Sequence, residues 1–202
     1  MTSADPLLIF DIGNVLVHLD NAVLARTISD GCSDKAGAHE MLEALLNTTA
    51  VSSGKMSVAE LHITTRERFG FSGDFEQFEK LWCCHFQRYP SMETLVQSLA
   101  RRYQLVALSN SNSSHWQFLR RNFDVMRVPH SLYASHEIGF AKPNRKAYEF
   151  VLRSEGRSAR DTIFVDDSET NIEAAKTLGL QAIQFSCRAA LESALVEIGI
   201  VW

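Results

Sequence analysis

Small polar and acidic side chains follow three short apolar runs in this chain of 202 residues. The three clusters are Asp11 after Leu7–Phe10, Ser109-Asn110 after Leu105–Leu108, and Asp166-Asp167 after Thr162–Val165. Carboxylates that share one cleft repel each other and raise each other's pKa unless a cation neutralises them. Mg²⁺ suits such a set, because it takes one or two carboxylates together with phosphate oxygens and waters. A carboxylate beside that ion can attack phosphorus, so the clusters predict phosphoryl chemistry.

Further groups along the chain suit the same chemistry. Lys142 lies in the segment Gly139–Asn144, at a loop-to-helix junction, and its ammonium is a natural partner for phosphoryl oxygens. The Ser109 hydroxyl and backbone N–H groups at Ser109-Asn110 can position the phosphoryl group. No cluster of His and Cys competes for a metal, so oxygen ligation is expected. Mg²⁺ is preferred on availability, with Mn²⁺ as the alternative.

Taken singly, each cluster also has a simpler interpretation. Asp11 is of a type that commonly caps helices or forms turns, and Asp166-Asp167 could cap a helix that begins near Glu169. Lys142-Pro143 could be no more than a helix start. The functional interpretation therefore depends on the clusters coming together in space.

The elements between the clusters predict how they come together. Helical spacing alternates with the apolar runs, and two weaker strand patterns complete the series. The predicted helices are Met92–Arg102, Trp116–Asn122, Lys146–Glu155, Asn171–Leu178 and Ala189–Ile198, and the weaker strands are Ser131–Ala134 and Gln181–Phe185. Strands that alternate with helices form parallel sheets, and ligands bind beyond the carboxyl ends of such strands. We therefore expect the three clusters to form one site.

One region departs from this alternation. From about Asn21 to His85 the pattern is helical, with predicted helices Glu40–Leu46, Val58–Phe69 and Phe75–Phe86 and breaks at Ser53-Gly54 and Gly70–Gly73. We expect a helical insertion after the first strand. The predicted division is a core domain of residues 1–20 and 86–202 and a helical domain of residues 21–85.

Four motifs in this order make the chain resemble the haloacid dehalogenase superfamily. The motifs are Asp11-Ile12-Gly13-Asn14-Val15-Leu16, Leu108-Ser109-Asn110, Lys142-Pro143 and Val165-Asp166-Asp167-Ser168-Glu169-Thr170-Asn171. The resemblance implies an α/β fold, a Rossmann-like doubly wound parallel sheet with a helical cap inserted after the first strand. It also implies a Mg²⁺-dependent phosphatase that acts through an aspartyl-phosphate.

The resemblance assigns a role to each motif residue. Asp11 would be the nucleophile and a metal ligand, and the backbone carbonyl of Gly13 would be a second ligand. Asp167 would bind the metal directly, and Asp166 directly or through water. Ser109 and Asn110 would hold the phosphoryl group, and Lys142 would pair with it and orient Asp11.

One position departs from the pattern of most phosphatases in the family, which have Asp two residues after the nucleophile as the general acid. Here that position is Gly13, so the proton for the leaving group must come from elsewhere: His18, Asp20, His115 or a water. The spelling around Asp11 is similar to a bacterial branch that shares the glycine and includes α-glucose-1-phosphate phosphatase. An anomeric leaving group is less basic than an ordinary alkoxide, which favours a sugar phosphate such as glucose 1-phosphate as substrate.

Composition excludes several other classes. The net charge of −4 and the absence of a basic cluster argue against nucleic acid, and no apolar run is long enough to predict a membrane segment. Four cysteines without a CxxC pair suggest reduced thiols and a cytoplasmic location. The expected partner is a small-molecule phosphate ester, and the chain is expected to be a monomer or a homodimer.

Two other functions remain open from the sequence. The first is a metal-independent 2-haloacid dehalogenase, which also lacks the second Asp; the paired acids Asp166-Asp167 argue against it. The second is a non-catalytic protein of the same fold, acting as a binding or regulatory partner.

Overall fold

A computed structural model of the protein describes residues 5–48, 50–52 and 54–202. Its strands are β1 (Leu7–Phe10), β2 (Val17–Leu19), β3 (Phe86–Arg88), β4 (Leu105–Ser109), β5 (Ser131–Ala134), β6 (Thr162–Asp166) and β7 (Gln181–Gln184). Its α-helices are α1 (Asn21–Ser29), α2 (Lys35–Leu46), α3 (Val58–Phe69), α4 (Phe75–Trp82), α5 (Pro90–Leu99), α6 (Ser113–Asn122), α7 (Ser135–Ile138), α8 (Arg145–Ser154), α9 (Glu169–Thr177) and α10 (Arg188–Glu197). Short 3₁₀ helices span Asp124–Arg127 and Ala159–Asp161.

Five of the strands form a parallel sheet in the order β5-β4-β1-β6-β7. The central strand β1 pairs with β4 on one side and β6 on the other, with Phe10 opposite both Ala107 and Val165. The chain therefore builds outward from β1 in both directions, which places the switch point of the topology at the carboxyl end of β1. The prediction of a doubly wound parallel sheet is confirmed.

Apolar layers cover both faces of this sheet. Leu8 and Phe10 belong to one hydrophobic cluster, which also contains residues of α5, α6 and α10. Leu7 and Ile9 belong to another, which contains residues of α8 and α9. Successive strand residues point to opposite faces, so a strand buried on both faces reads as a continuous apolar run, as β1 does.

Helices α1–α4 lie between β2 and β3 and share a hydrophobic cluster drawn from residues 24–82. Each begins at a residue whose side chain accepts a hydrogen bond from the first turn: Asp20, Asp34, Ser57 and Asp74. These caps satisfy backbone N–H groups that have no partner inside a helix. The predicted helical character of this region is confirmed.

The structure differs from the sequence prediction at the end of that region. The helix predicted over Phe75–Phe86 ends at Trp82, and Phe86 begins β3, which pairs antiparallel with β2. A strand of three residues is too short to show an alternating pattern, so neither β2 nor β3 was predicted. Of the predicted break at Ser53-Gly54, Gly54 has a φ of 76° and Ser53 lies outside the described residues. Within the described ranges, no helix has the length and apolar character needed to cross a bilayer.

Candidate active site

The carboxyl ends of three neighbouring strands bring the predicted clusters together. Asp11 directly follows β1, Ser109 is the last residue of β4, and Asp166 is the last residue of β6. Because these strands are parallel and adjacent, their carboxyl ends lie along one edge of the sheet. Lys142 comes from the loop between α7 and α8 and reaches the same place.

Lys142 lies at the centre of this cluster. Its side chain is 1% exposed, and its Nζ is 2.7 Å from Oδ1 of Asp11, 2.7 Å from Oδ2 of Asp166 and 2.8 Å from the Leu108 carbonyl oxygen. Burial alone would lower the pKa of this ammonium, but the two carboxylates more than offset it and raise the pKa above the ordinary lysine value. Lys142 is therefore charged, and three acceptors fix its position.

Asp11 has one oxygen engaged by two donors. Its Oδ1 accepts from the Ile12 backbone N–H at 2.7 Å as well as from Lys142, while no described residue donates to Oδ2. Burial raises the pKa of Asp11 to about 7, with Lys142 opposing the rise and Asp166 adding to it. One lone-pair-bearing oxygen is thus left for a cation or an electrophile.

Asp166 and Asp167 lie in contrasting surroundings. Asp166 is fully buried, and its Oδ1 accepts from the Ser168 backbone N–H and the Asn171 side chain, each at 2.9 Å. Asp167 is partly exposed to the cavity described below, and its Oδ2 accepts from Asn14 at 3.1 Å. Burial raises the pKa of Asp167 above its ordinary value, as does the charge of Asp166, against the opposing effect of the Asn14 hydrogen bond.

The three carboxylates fit a hard divalent cation. Asp11, Asp166 and Asp167 each offer an oxygen, and these oxygens lie within 4.8 Å of one another. The single ammonium of Lys142 leaves two of the three negative charges uncompensated, which is costly in a buried site. An all-oxygen donor set of this kind suits Mg²⁺.

The Asn110 side chain positions Lys142 by hydrogen bonds to the Lys142 main chain. The Asn110 side chain donates to the Lys142 carbonyl oxygen at 2.7 Å and accepts from the Lys142 backbone N–H at 2.8 Å. With both ends of its amide engaged, Asn110 anchors the loop that carries Lys142. The Ser109 side chain, in contrast, lines the cavity without a hydrogen bond to another described residue.

A cavity of about 210 Å³ lies between the strand ends and the helical region. The strand-end loops contribute Asp11, Gly13, Asn14, Ser109, Asn110, Lys142 and Asp167 to its lining, and the helical region contributes Leu45, Leu46, Thr48, Val51, Ser52, Trp82 and His85. Every predicted site residue except Asp166 lines it. Asp166 is instead in contact with Lys142, whose Nζ lies 2.7 Å from Asp166 Oδ2, and it is the third carboxylate of the acidic cluster.

Leu19 occupies the space beside Gly13. A Cβ atom at Gly13 would lie 2.7 Å from Cδ1 of Leu19, so a larger residue fits only if Leu19 moves. Gly13 stands at the position where the resemblance predicts a general acid in most phosphatases, and here it faces the apolar side chain of Leu19.

The three side chains considered as substitute acids have other roles in the structure. His18 is exposed and stacks on Tyr89 at 3.8 Å, and Asp20 caps α1; neither lines the cavity. His115 does line it, but its Nε2 must donate to the Trp82 carbonyl, because a carbonyl can only accept, and its Nδ1 contacts the Asn112 amide nitrogen. Desolvation lowers the pKa of His115 to about 3, so the ring is neutral.

Among the cavity residues that the sequence did not assign to the site are Asn14, Trp82 and His85. Asn14 has a φ of 55°, a conformation that asparagine tolerates better than most residues, and this turn aims its amide at Asp167. The position of Asn14 inside the first motif could have indicated a role in the site. Trp82 and His85 come from the helical region, and no local pattern could show that they face the strand ends.

A family model matches most of this chain. The profile of the haloacid dehalogenase-like hydrolases matches residues 6–179. D-ribitol-5-phosphate phosphatase of Bacteroides thetaiotaomicron is 23% identical over 185 residues, which cover 88% of this chain and 90% of that protein.

Two solved structures are similar to this chain over most of its length. The magnesium complex of a haloacid dehalogenase family enzyme from Bacteroides thetaiotaomicron superposes with a TM-score of 0.76 at 25% identity, covering 92% of this chain and 94% of that one. A protein from Porphyromonas gingivalis, described as a predicted haloacid dehalogenase-like hydrolase, superposes with a TM-score of 0.79 at 21% identity, covering 98% of this chain and 100% of that one. The second likeness bears on the fold alone.

Proposed function

Because this chain belongs to the haloacid dehalogenase-like hydrolases, we propose that it is a Mg²⁺-dependent phosphomonoester hydrolase that uses Asp11 as nucleophile. The observation that carries this proposal is the buried Lys142, which bridges Asp11 and Asp166 beside a third carboxylate on the floor of a cavity. The phosphatase named among its relatives supports the same reaction class. The predicted resemblance to α-glucose-1-phosphate phosphatases stays a prediction.

In this proposal Asp11 attacks through Oδ2. Its other oxygen is held by Lys142 and the Ile12 N–H, which fix the carboxylate plane and leave Oδ2 directed to the electrophile. The Oδ2–P bond forms as the P–O bond to the leaving group breaks, and water, the remaining candidate acid, protonates the leaving oxygen. The resulting aspartyl-phosphate is then hydrolysed by water. Ser109 and backbone N–H groups near Asn110 hold the phosphoryl oxygens during both steps, and the positive charge of Lys142 attracts them.

The proposed cation ligands are Asp11, the Gly13 carbonyl and Asp167, with Asp166 binding directly or through a water. When bound, Mg²⁺ screens the repulsion between the nucleophile and the phosphoryl oxygens. Asn14 and Asn171 orient Asp167 and Asp166 by hydrogen bonds of 3.1 and 2.9 Å, so they would hold the donor set in place. A related enzyme was solved as a magnesium complex, which supports Mg²⁺ as the cation.

We propose a small, hydroxylated phosphate ester as the substrate, such as glucose 1-phosphate or a pentitol phosphate. The cavity of about 210 Å³ suits a small metabolite, and a relative is named for D-ribitol 5-phosphate. Residues 21–85 would act as the cap over residues 1–20 and 86–202, since helical-region side chains complete the cavity. Free thiols at all four cysteines suit a cytoplasmic location.

The test is phosphate release from a panel that contains α-glucose 1-phosphate and D-ribitol 5-phosphate, with Mg²⁺, with EDTA, and with Asp11→Asn. We expect release that EDTA and Asp11→Asn each abolish. Release that persists in the Asp11→Asn protein would exclude Asp11 as nucleophile. No release across the panel would reject the phosphatase proposal, and chloride release from 2-chloropropionate without metal would then favour the dehalogenase alternative.

A further inference from the structure

Two buried side chains of the cavity wall carry a nitrogen with no hydrogen-bond partner in the described part of the chain. These atoms are Nε1 of Trp82 and Nδ1 of His85. The residues are 1% and 2% exposed, and both line the cavity that also contains Asp11 and Lys142. A buried polar group without a partner is unfavourable, and such groups in native proteins usually have a ligand, a water or a role that accounts for them.

Packing holds both rings in place. The Trp82 ring lies nearly parallel to the rings of Phe78 and His115, with interplanar angles of 9° and 13°. The His85 ring packs against Phe86 and His115, with centroid distances of 4.2 and 5.0 Å. His115 cannot serve as their partner, because both of its ring nitrogens are already engaged. The unpaired nitrogens are therefore held at fixed positions, as in a preformed binding site.

The hydrogen-bonding capacity of the two nitrogens limits which ligand group can pair with them. An indole N–H only donates, so the ligand group must accept a hydrogen bond, and this excludes an ammonium. A carboxylate would add a further negative charge to a cavity already lined by Asp11 and Asp167. Burial lowers the pKa of His85 to about 4, which leaves a neutral imidazole whose Nδ1 either donates or accepts. A hydroxyl group accepts from Trp82 and serves His85 in either tautomer.

We propose that Trp82 and His85 form a subsite for a hydroxyl group in the organic part of the phosphate ester. This inference rests on the proposed phosphatase function and narrows its substrate class. It predicts that a polyol or sugar phosphate binds in preference to an alkyl phosphate of the same carbon number, because an alkyl chain leaves both nitrogens unpaired.

The experiment compares D-ribitol 5-phosphate with n-pentyl phosphate, which have the same number of carbons. Binding is measured by calorimetry with Mg²⁺ in an Asp11→Asn background, so the result does not depend on turnover. Trp82→Phe keeps the aromatic ring and removes the N–H; His85→Leu removes both ring nitrogens, and His85→Gln keeps a donor and an acceptor. The matched control is Trp116→Phe, since Trp116 donates to Glu137 at 3.1 Å and does not line the cavity.

We expect the Asp11→Asn protein to bind the ribitol ester at least tenfold more tightly than the pentyl ester. Trp82→Phe and His85→Leu should each reduce this ratio about tenfold, His85→Gln should restore part of it, and Trp116→Phe should leave it unchanged. Thermal unfolding identifies any variant that does not fold, in which case the other position carries the test.

Equal losses for both esters, an unchanged ratio, or no binding of either ester would overturn the subsite. The proposed function is tested separately, by phosphate release from the same two esters with Asp11 intact. Turnover with an unchanged binding ratio would reject only the subsite. A binding ratio that responds to Trp82 and His85 without turnover of either ester would reject only the phosphatase proposal.

Discussion

Lys142 shows how a buried charge is stabilised at the level of a single residue. Its ammonium is removed from water but contacts two carboxylates and a carbonyl oxygen within 2.8 Å. Removing one partner of a buried ion pair leaves the other charged and unpaired, which costs far more than the pair contributes. The same residue therefore stabilises the metal-free fold and orients the proposed nucleophile.

We predict that Lys142→Met lowers both stability and activity. The unfolding free energy should fall by about 3 kcal/mol, because Asp11 and Asp166 lose their cation, and phosphate release should fall by at least about 10²-fold. Urea unfolding in EDTA and phosphate assays in Mg²⁺ measure the two effects. The control is Lys35→Met, whose ion pair with Asp30 is exposed on both sides and is worth less than about 1 kcal/mol. Equal effects of the two variants would contradict this account.

The contact between Gly13 and Leu19 gives a second prediction at this scale. Gly13→Asp alone should destabilise the protein, because its Cβ would lie 2.7 Å from Leu19 Cδ1. In the double variant Gly13→Asp/Leu19→Ala the space is vacated, and the new carboxyl can protonate a leaving group. We expect kcat for an alkyl phosphate to rise at least about tenfold relative to that for p-nitrophenyl phosphate, whose leaving group needs no acid.

The measurement is the ratio of the two kcat values in the wild type, in Leu19→Ala and in the double variant. Leu19→Ala alone should leave the ratio near that of the wild type, because it adds no acid. An equal change for both substrates in the double variant would show that the carboxyl does not reach the leaving group.

Single residues also mark how far the sequence could predict the site. Asp11, Ser109 and Asp166 were predicted because each lies at the end of an apolar strand, a pattern visible along the chain. The bond from Asn14 to Asp167 spans 153 residues and depends on one left-handed turn, so no local pattern reveals it. The partners of His115 and the contact between Leu19 and Gly13 were likewise beyond sequence reasoning, because they arise from packing.

At the scale of elements, continuous apolar strands and long helices were predicted well, and strands of three residues were not. The strands β1, β4 and β6 were predicted because they are continuous apolar runs that end in polar residues. The pair β2 and β3 was missed, since each has three residues and derives its stability from the other. These two strands flank helices α1–α4, so the connection between the helical region and the sheet is the part of the fold that depends on pairing rather than on pattern.

The end of α3 gives a prediction at this scale. Gly70 has a φ of 68°, and a Cβ at this position would overlap with Oγ of Ser33, which itself hydrogen-bonds the Phe69 carbonyl at 3.2 Å. Gly156, with a φ of 63°, follows α8 and would meet no atom within 4 Å. A substitution at either glycine would strain the backbone, because both have a positive φ. Only at Gly70 would the added Cβ also overlap with a neighbouring atom.

Gly156→Ala should therefore lower the unfolding free energy by about 1 kcal/mol from the left-handed conformation alone. Gly70→Ala should lower it by roughly 1–3 kcal/mol more, because Ser33 must move from its position between α1 and α2. Urea unfolding of both variants measures the difference. A loss at Gly70 no larger than that at Gly156 would show that Ser33 gives way without cost, and Gly70→Ala combined with Ser33→Ala should recover part of a larger loss.

At the scale of the whole molecule, three hydrophobic clusters among the described residues surround one polar site. Two lie on opposite faces of the sheet and the third lies within α1–α4. The cavity lies where the third approaches the strand ends, and Trp82 belongs to both the cluster and the cavity wall. The helical region thus brings buried aromatic and imidazole groups to the site, and these groups couple the stability of the molecule to pH.

His85 determines the direction of that coupling. Burial lowers its pKa to about 4 from an ordinary value of 6.5, with the Trp82 carbonyl and the charge of Asp20 opposing the shift. Between these pH values the unfolded chain binds a proton that the folded protein does not, so the unfolding free energy rises with pH. The contribution of His85 is complete above about pH 6.5 and is lost as the pH falls towards 4.

We predict that His85→Gln flattens the dependence of the unfolding free energy on pH in this window. The slope of the wild type should exceed that of the variant by up to about 1.4 kcal/mol per pH unit, the value for one proton. Urea unfolding at several pH values from 4 to 7 in EDTA measures both slopes, and carboxylate titration cancels because the two proteins share it. His39→Gln, at a partly exposed position paired with Glu43 at 3.3 Å, is the matched control, and it should retain the rise that His85 contributes because His85 is intact. If His85→Gln also kept the slope of the wild type, the pKa of His85 would be the same in the folded and unfolded states, and its burial would not account for the pH dependence of the unfolding free energy.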